Sequence, residues 1–365
     1  MFAFVTTDAT GDQKSRQWSA QRITIAIICF YAALAIAVIP FAALPGPEIP
    51  GFVALFVTGI LISELSTSFL LFVRARDSHP WSLLLLGCAY LFSALMSVSQ
   101  LLTFPGAVLS ADALITTSAQ AAAWIFIAWI NGFALLTFLS VMVEARYGNQ
   151  QAAPKNFYIF VAVSVVVVAA LAAAAVFFAI TATDQLPPLV QQGAFTPTSW
   201  TARSLGSALS CISIVIILFV IRERSRLYLW LSVALTAIVF HNVLSTFGGA
   251  RFTIGWSVGR LSWLVSALAL LVYFLGQFAR QQKLLLRTGE ILGQHVDAQT
   301  SELGGSGVQY PKNMDATIER FLARENILRY RAMLQLPADD AHRDVISRLL
   351  AEEEAKLKLI GGAIR

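Results

Sequence analysis

Apolar and polar positions alternate along this chain in long blocks rather than residue by residue. Eight apolar stretches lie near residues 22–44, 52–73, 81–104, 119–143, 157–181, 204–221, 228–247 and 257–278, separated by polar connections. Most reach the roughly 20 residues a helix needs to cross the hydrocarbon core of a bilayer. Inside lipid no water satisfies the backbone, so such segments must be helices. The pattern predicts an all-α, polytopic integral membrane bundle of about eight transmembrane helices over 22–279, preceded by a polar segment, 1–21. The stretch from Leu205 is the shortest. The first stretch is too long for a signal-peptide core and is expected to stay as a span.

The connections set the orientation. Lys14, Arg16 and Arg22 precede the first span, Arg74 and Arg76 follow the second, Arg146 and Lys155 the fourth, Arg222, Arg224 and Arg226 the sixth, and Arg280, Lys283 and Arg287 the eighth. Connections 45–51 and 104–118 contain no Lys or Arg; the fifth has only Arg203 at its end and the seventh only Arg251. The positive-inside rule places both termini in the cytoplasm of what reads as an inner-membrane-type protein. The formal charge of +5 is largely this loop asymmetry, so it does not indicate a nucleic-acid partner. Cys29, Cys88 and Cys211 fall inside spans, the four histidines are scattered, and no zinc-type spacing is present, so no metal or cofactor is expected.

A charged side chain at the bilayer centre costs on the order of 2.5–3.5 kcal/mol on insertion scales, so each one needs a reason. Glu64 sits mid-span in ISELSTSF, and Asn131 is near the middle of the fourth span. Gln100, Gln120, His241 and Arg260 fall toward the outer ends of their spans. One reading is an outward-facing pocket lined by Gln100, Gln120, His241 and Arg260, with Glu64 deeper. The other is interhelical hydrogen bonding, with Arg203 and Arg251 snorkelling to head groups. Trp81, Trp124, Trp129, Trp200, Trp230, Trp256 and Trp263 read as an interfacial belt, of which Trp124, Trp129 and Trp263 lie deep enough to line a hydrophobic ligand site. Pro105 ends the third span and Gly106 permits the turn after it. Gly255 and Gly259, four residues apart, share a helix face and form a close-packing motif.

Three passages carry a resemblance. They are GCAYLFSALMSVSQLLTFPGAV at 87–108, SAQAAAWIFIAWINGFALL at 118–136, and LYLWLSVALTAIVF at 227–240 followed by GGARFTIGWSVGRLSWLVSALALLVYFL at 248–275. In order and spacing this set resembles the membrane-associated sensor domains of bacterial signalling proteins, fourth type, over roughly residues 20–280. The resemblance implies an eight-span input domain that senses a stimulus. The positions it carries over are Phe104, Pro105, Gly106, Gln120, Trp124, Trp129, Trp230, Arg251, Gly255, Gly259 and Arg260, with Glu64 as the acidic residue of the second span. The chain departs from the family at Gln100 and Asn131, where histidines are expected.

After the last span, residues 280–303 are predicted to continue as a coiled-coil-like helix, with Phe278, Leu285 and Leu292 seven apart. Residues 304–313, with ELGGSG at 302–307, read as a linker. Residues 314–365 read as a helical hairpin: one helix over 314–334, a turn at LPADD with Asp339 as N-cap, and a second helix to about 359, ended by Gly361 and Gly362. A hairpin of that size lacks a secure core of its own and should pair with itself or dock on a protein. No GGDEF-type string, phospho-acceptor histidine box or glycine-rich nucleotide loop is present, so no intrinsic enzyme is expected. The expected function is a homodimeric membrane sensor that signals to a cytoplasmic protein through 280–365. A small-solute or lipid transporter and a non-sensory scaffold are the alternatives.

Overall fold

The structure is a computed structural model. It describes residues 8–47, 49–76, 80–107, 115, 118–148, 154, 156–221, 226–277 and 279, and in the tail 326, 327, 330, 334, 347–355, 357 and 358. The chain divides into two compact units, Met1–Arg280 and Gln281–Arg365.

In the first unit the helices are α1 (Asp8–Val38), α2 (Phe52–Ala75), α3 (Pro80–Thr103), α4 (Ala119–Tyr147), α5 (Phe157–Thr181), α6 (Pro197–Ile216, continued by a π-helical turn at Ile217–Ile221), α7 (Arg226–Gly248) and α8 (Ile254–Gln277). All eight contain a segment long and apolar enough to cross a membrane. The all-α polytopic fold read from the hydropathy pattern is therefore the observed one. Among the membrane-crossing segments the boundaries differ most at α6, which begins at Pro197 rather than near residue 204. Thr196 accepts a hydrogen bond from the Ser199 N–H at 3.3 Å and Pro197 occupies the first turn, so a cap starts the helix ahead of its apolar run.

Burial separates the helices into a core and a lipid-facing shell. Helices α3, α4 and α7 are buried over much of their length. Ile23, Phe30 and Ile36 of α1 and Val163, Val166 and Phe177 of α5 are exposed. Apolar residues left outside to that extent have a natural solvent in acyl chains. Helix α8 is held by Ser63 of α2, whose hydroxyl donates to the Ala267 carbonyl at 2.7 Å, and by close approach to α7. A Cβ at Gly259 would lie 2.8 Å from His241 Nδ1, and one at Gly255 would meet the Leu244 carbonyl oxygen. At both glycines α8 approaches α7 too closely for a side chain.

Chain direction alternates, so connections 42–51, 104–118, 182–196 and 249–253 belong to one end of the bundle, the distal end. Extended backbone covers part of it. Gly46 N–H donates to the Phe252 carbonyl at 2.8 Å, and Ile254 N–H to that of Leu44 at 2.9 Å. A two-stranded antiparallel hairpin, β1 (Val190–Gln191) and β2 (Ala194–Phe195), turns through Gln192 (φ 50°) and Gly193 (φ 82°). Positive φ at both central residues suits the twist of a two-residue hairpin. Phe195 N–H donates to the Gly249 carbonyl at 2.7 Å, which ties this hairpin to the α7–α8 turn. The all-α reading had no place for the hairpin.

In the second unit, 326, 327, 330 and 334 are helical, as are 347–355, 357 and 358. Asn326 Nδ2 donates to Glu353 Oε1 at 3.1 Å, linking the two helical segments. The predicted coiled-coil extension 280–303, the linker 304–313, the Asp339 cap and the Gly361–Gly362 stop lie outside the described residues.

Candidate functional site

Three arginines converge at the distal end. Arg203 lies in the second turn of α6, Arg260 in the second turn of α8, and Arg251 in the turn between α7 and α8. With Gln100, Phe126, Phe195, Ser199 and Trp256 they line a narrow cavity that has about 20 Å³ of internal room. That is space for one water-sized group. Among the described residues its lining contains no Asp or Glu.

Burial of these charges is deep. Arg203 is 5% exposed and Arg260 6%. Each cation lies over an aromatic ring: Arg203 over Phe195 at 4.2 Å, Arg260 over Trp256 at 3.9 Å and Arg251 over Phe104 at 4.8 Å. Phe126 serves two of them, at 5.1 Å from Arg260 and 5.9 Å from Arg203. Ring faces attract the charge but offer no oxygen to the N–H donors. Arg203 Nε and Nη1 find no hydrogen-bond partner among the described residues, and neither does Gln100 Oε1, on a side chain 4% exposed. For Arg251, outside the spans, burial lowers the pKa, because desolvation disfavours the cation.

The backbone adds to the positive field. Helices α4, α6 and α8 all begin at this end, so their N-terminal partial charges face the distal side. Ser118, Thr196 and Thr253 accept from the N–H groups of Ala121, Ser199 and Trp256 at 3.1, 3.3 and 3.3 Å, fixing where each helix starts.

Beneath the cavity runs a ring-lined path. Phe126 and Trp263 pack on His241 at 5.7 and 5.5 Å, and Trp263 on Trp129 at 5.1 Å. Trp129 Nε1 donates to the Ser93 hydroxyl, which is also hydrogen-bonded to the Glu64 carboxyl. Glu64 is 2% exposed and its Oε2 has no partner among the described residues. His241 is fully buried, with Nδ1 3.5 Å from Ser245 and Nε2 unpartnered among the described residues.

The sequence-derived candidates thus divide. Gln100, Arg251 and Arg260 line the cavity. Glu64, Trp129 and His241 lie on the path below it. Gln120, Trp124 and Asn131 do neither. Gln120 Nε2 donates to the Val190 carbonyl at 2.5 Å and its Oε1 accepts from the Leu189 N–H at 2.9 Å, holding the β-hairpin. Trp124 Nε1 donates to the Pro187 carbonyl at 3.2 Å. Asn131 Nδ2 donates to the Ala202 carbonyl at 2.9 Å, and Gly206 gives it room against α6. Pro105 follows the end of α3, and Gly106 adopts φ 75°. The reading of Arg203 and Arg251 as snorkelling is corrected: both line the cavity. Arg203 was missed because α6 starts earlier than its hydropathy suggests. The Thr196–Pro197 pair was the signal that could have found it.

Eight helices, each long and apolar enough to cross a membrane, define a polytopic membrane protein. A family model described as membrane-associated sensor, integral membrane domain matches residues 47–281, and the chain belongs to that family. It is a membrane sensor domain by that membership. None of the curated proteins and none of the solved structures compared with it match.

Proposed function

We propose that the chain is a bacterial inner-membrane sensor, with both termini cytoplasmic, that detects its stimulus at the outer end of the bundle. It passes the signal to a cytoplasmic protein through residues 280–365 and works as a homodimer without enzymatic activity of its own. One observation carries the reading: α8 holds Arg260 in its second turn at the distal cavity and leads at its other end directly into the tail. A change in how Arg260 is held is a change at the start of a rod whose far end joins the output segment. The loop charges support the orientation, since the distal connections are the base-poor ones.

The test is crosslinked co-purification from native membranes, comparing the full chain with one ending at Glu302. A signalling protein recovered only with the full chain is the expected result. Equal recovery with both versions would move the contact into the membrane unit. Recovery of none, together with solute uptake that depends on Glu64, would favour transport.

A further inference from the structure

We propose that the distal cavity is a binding site for a single anionic group, a carboxylate or a phosphate, clasped by Arg203 and Arg260 with Arg251 beside them. The inference rests on the sensor reading only for its biological role, naming the chemical class of the stimulus. The binding itself stands on the geometry.

Guanidinium groups in a low-dielectric site need counter-charge or oxygen acceptors, because leaving their donors unmet forfeits hydration without replacement. Here the stacked rings of Phe195 and Trp256 supply part of the compensation. They do not satisfy Arg203 Nε and Nη1, which line a cavity free of acidic side chains among the described residues. Arginine's fixed fork of donors matches the oxygens of a carboxylate or phosphate. Three capped helix N-termini at the same end favour the same sign of ligand. The cavity has room for one water-sized group, so only an oxygen of the anion enters it, and the remainder of the ligand must extend past Phe195 and Trp256.

Two sources share that chemistry: a free organic or inorganic anion, and the phosphate of an anionic lipid. The experiment separates them. The full chain is placed in phosphatidylcholine nanodiscs and its unfolding midpoint followed on titration with potassium phosphate or sodium benzoate, against sodium chloride at equal ionic strength. A saturable rise beyond chloride is expected, since a ligand that binds only the folded state stabilises it. Arg203→Gln and Arg260→Gln should each weaken the apparent affinity at least about tenfold, the loss of one charge-assisted hydrogen bond. A rise on adding phosphatidylglycerol without any free anion, abolished by the same substitutions, supports the site and assigns the group to a lipid.

Should either variant fail to fold, the wild-type chain still decides. Radiolabelled phosphate should bind the wild-type chain saturably in the same nanodiscs and be displaced by benzoate but not by chloride. No midpoint shift beyond chloride with any of the three probes, or no saturable phosphate binding that benzoate displaces, overturns the proposal. Failure to recover a cytoplasmic partner would leave anion binding intact, because the binding assay contains none. A recovered partner without anion binding would keep the relay and remove this cavity as its input.

Discussion

The two ends of the bundle each bury polar groups, and they handle them in opposite ways. At the proximal end, Ser82 of α3 donates to Glu144 Oε2 at 2.8 Å, Ser140 of α4 donates to the Ser82 carbonyl at 2.7 Å, and Ser140 meets the Tyr228 hydroxyl of α7 at 3.1 Å. One acid, two serines and a tyrosine are joined by hydrogen bonds across the three core helices. At the distal end three like charges face one cavity, and Arg203 Nε and Nη1 reach no acceptor among the described residues. A closed network fixes helices in one register. An open one of a single sign holds binding capacity in reserve. The contrast separates polar residues that build the bundle from those available to read something outside it.

The largest expected effect tests whether the distal end depends on its glycine seam. Gly255→Val places a side chain against the Leu244 carbonyl oxygen and against Ala42, whose Cβ would be 2.9 Å from the new Cβ. Overpacking of this kind costs about 3 kcal/mol when backbone must move. Thermal unfolding in detergent should show a large fall in midpoint, with anion binding lost alongside it. A variant as stable as the parent would mean that α7 and α8 are not seated as closely as described.

The next effect belongs to the closed network. Glu144→Ala leaves the Ser82 hydroxyl without its 2.8 Å acceptor in a fully buried position, at a cost of about 2 kcal/mol. The same unfolding measurement should register that loss while phosphate or benzoate binding keeps its affinity. Weakened binding with unchanged stability would reverse the assignment of the two ends.

Much of this division was legible in the residues, and the part that was not has a physical reason. Apolar runs reveal spans because lipid imposes one length on all of them, and every predicted span is present. Gln100 and Arg260 could be placed together by counting depth along separate helices. Depth does not give rotation about the helix axis. Gln120 therefore looked like a cavity residue although its partner, Val190, offers a backbone carbonyl 70 residues away. Glu144 escaped notice because it precedes Arg146 at a span end, where an acid calls for no explanation. The hairpin at 190–195 was hidden by its length: two residues per strand make no hydropathy pattern, and only the Gln192–Gly193 turn marks it.

The smallest expected effect is the sharpest discriminator. Arg203→Gln removes one of three like charges and two donors that have no acceptor among the described residues, and it also removes the stacking on Phe195. These contributions oppose one another: relief of burial and repulsion on one side, roughly 1–2 kcal/mol of cation–π attraction on the other. In the absence of added anion the unfolding midpoint should therefore stay close to that of the parent, within about 1 kcal/mol. With phosphate or benzoate present the two proteins should diverge, because the parent gains more stability from the ligand. A residue conserving the fold would behave otherwise, with the same deficit whether or not anion is present. A constant deficit as large as that of Glu144→Ala would place Arg203 with the closed network, and the distal end would then be built on the same terms as the proximal one.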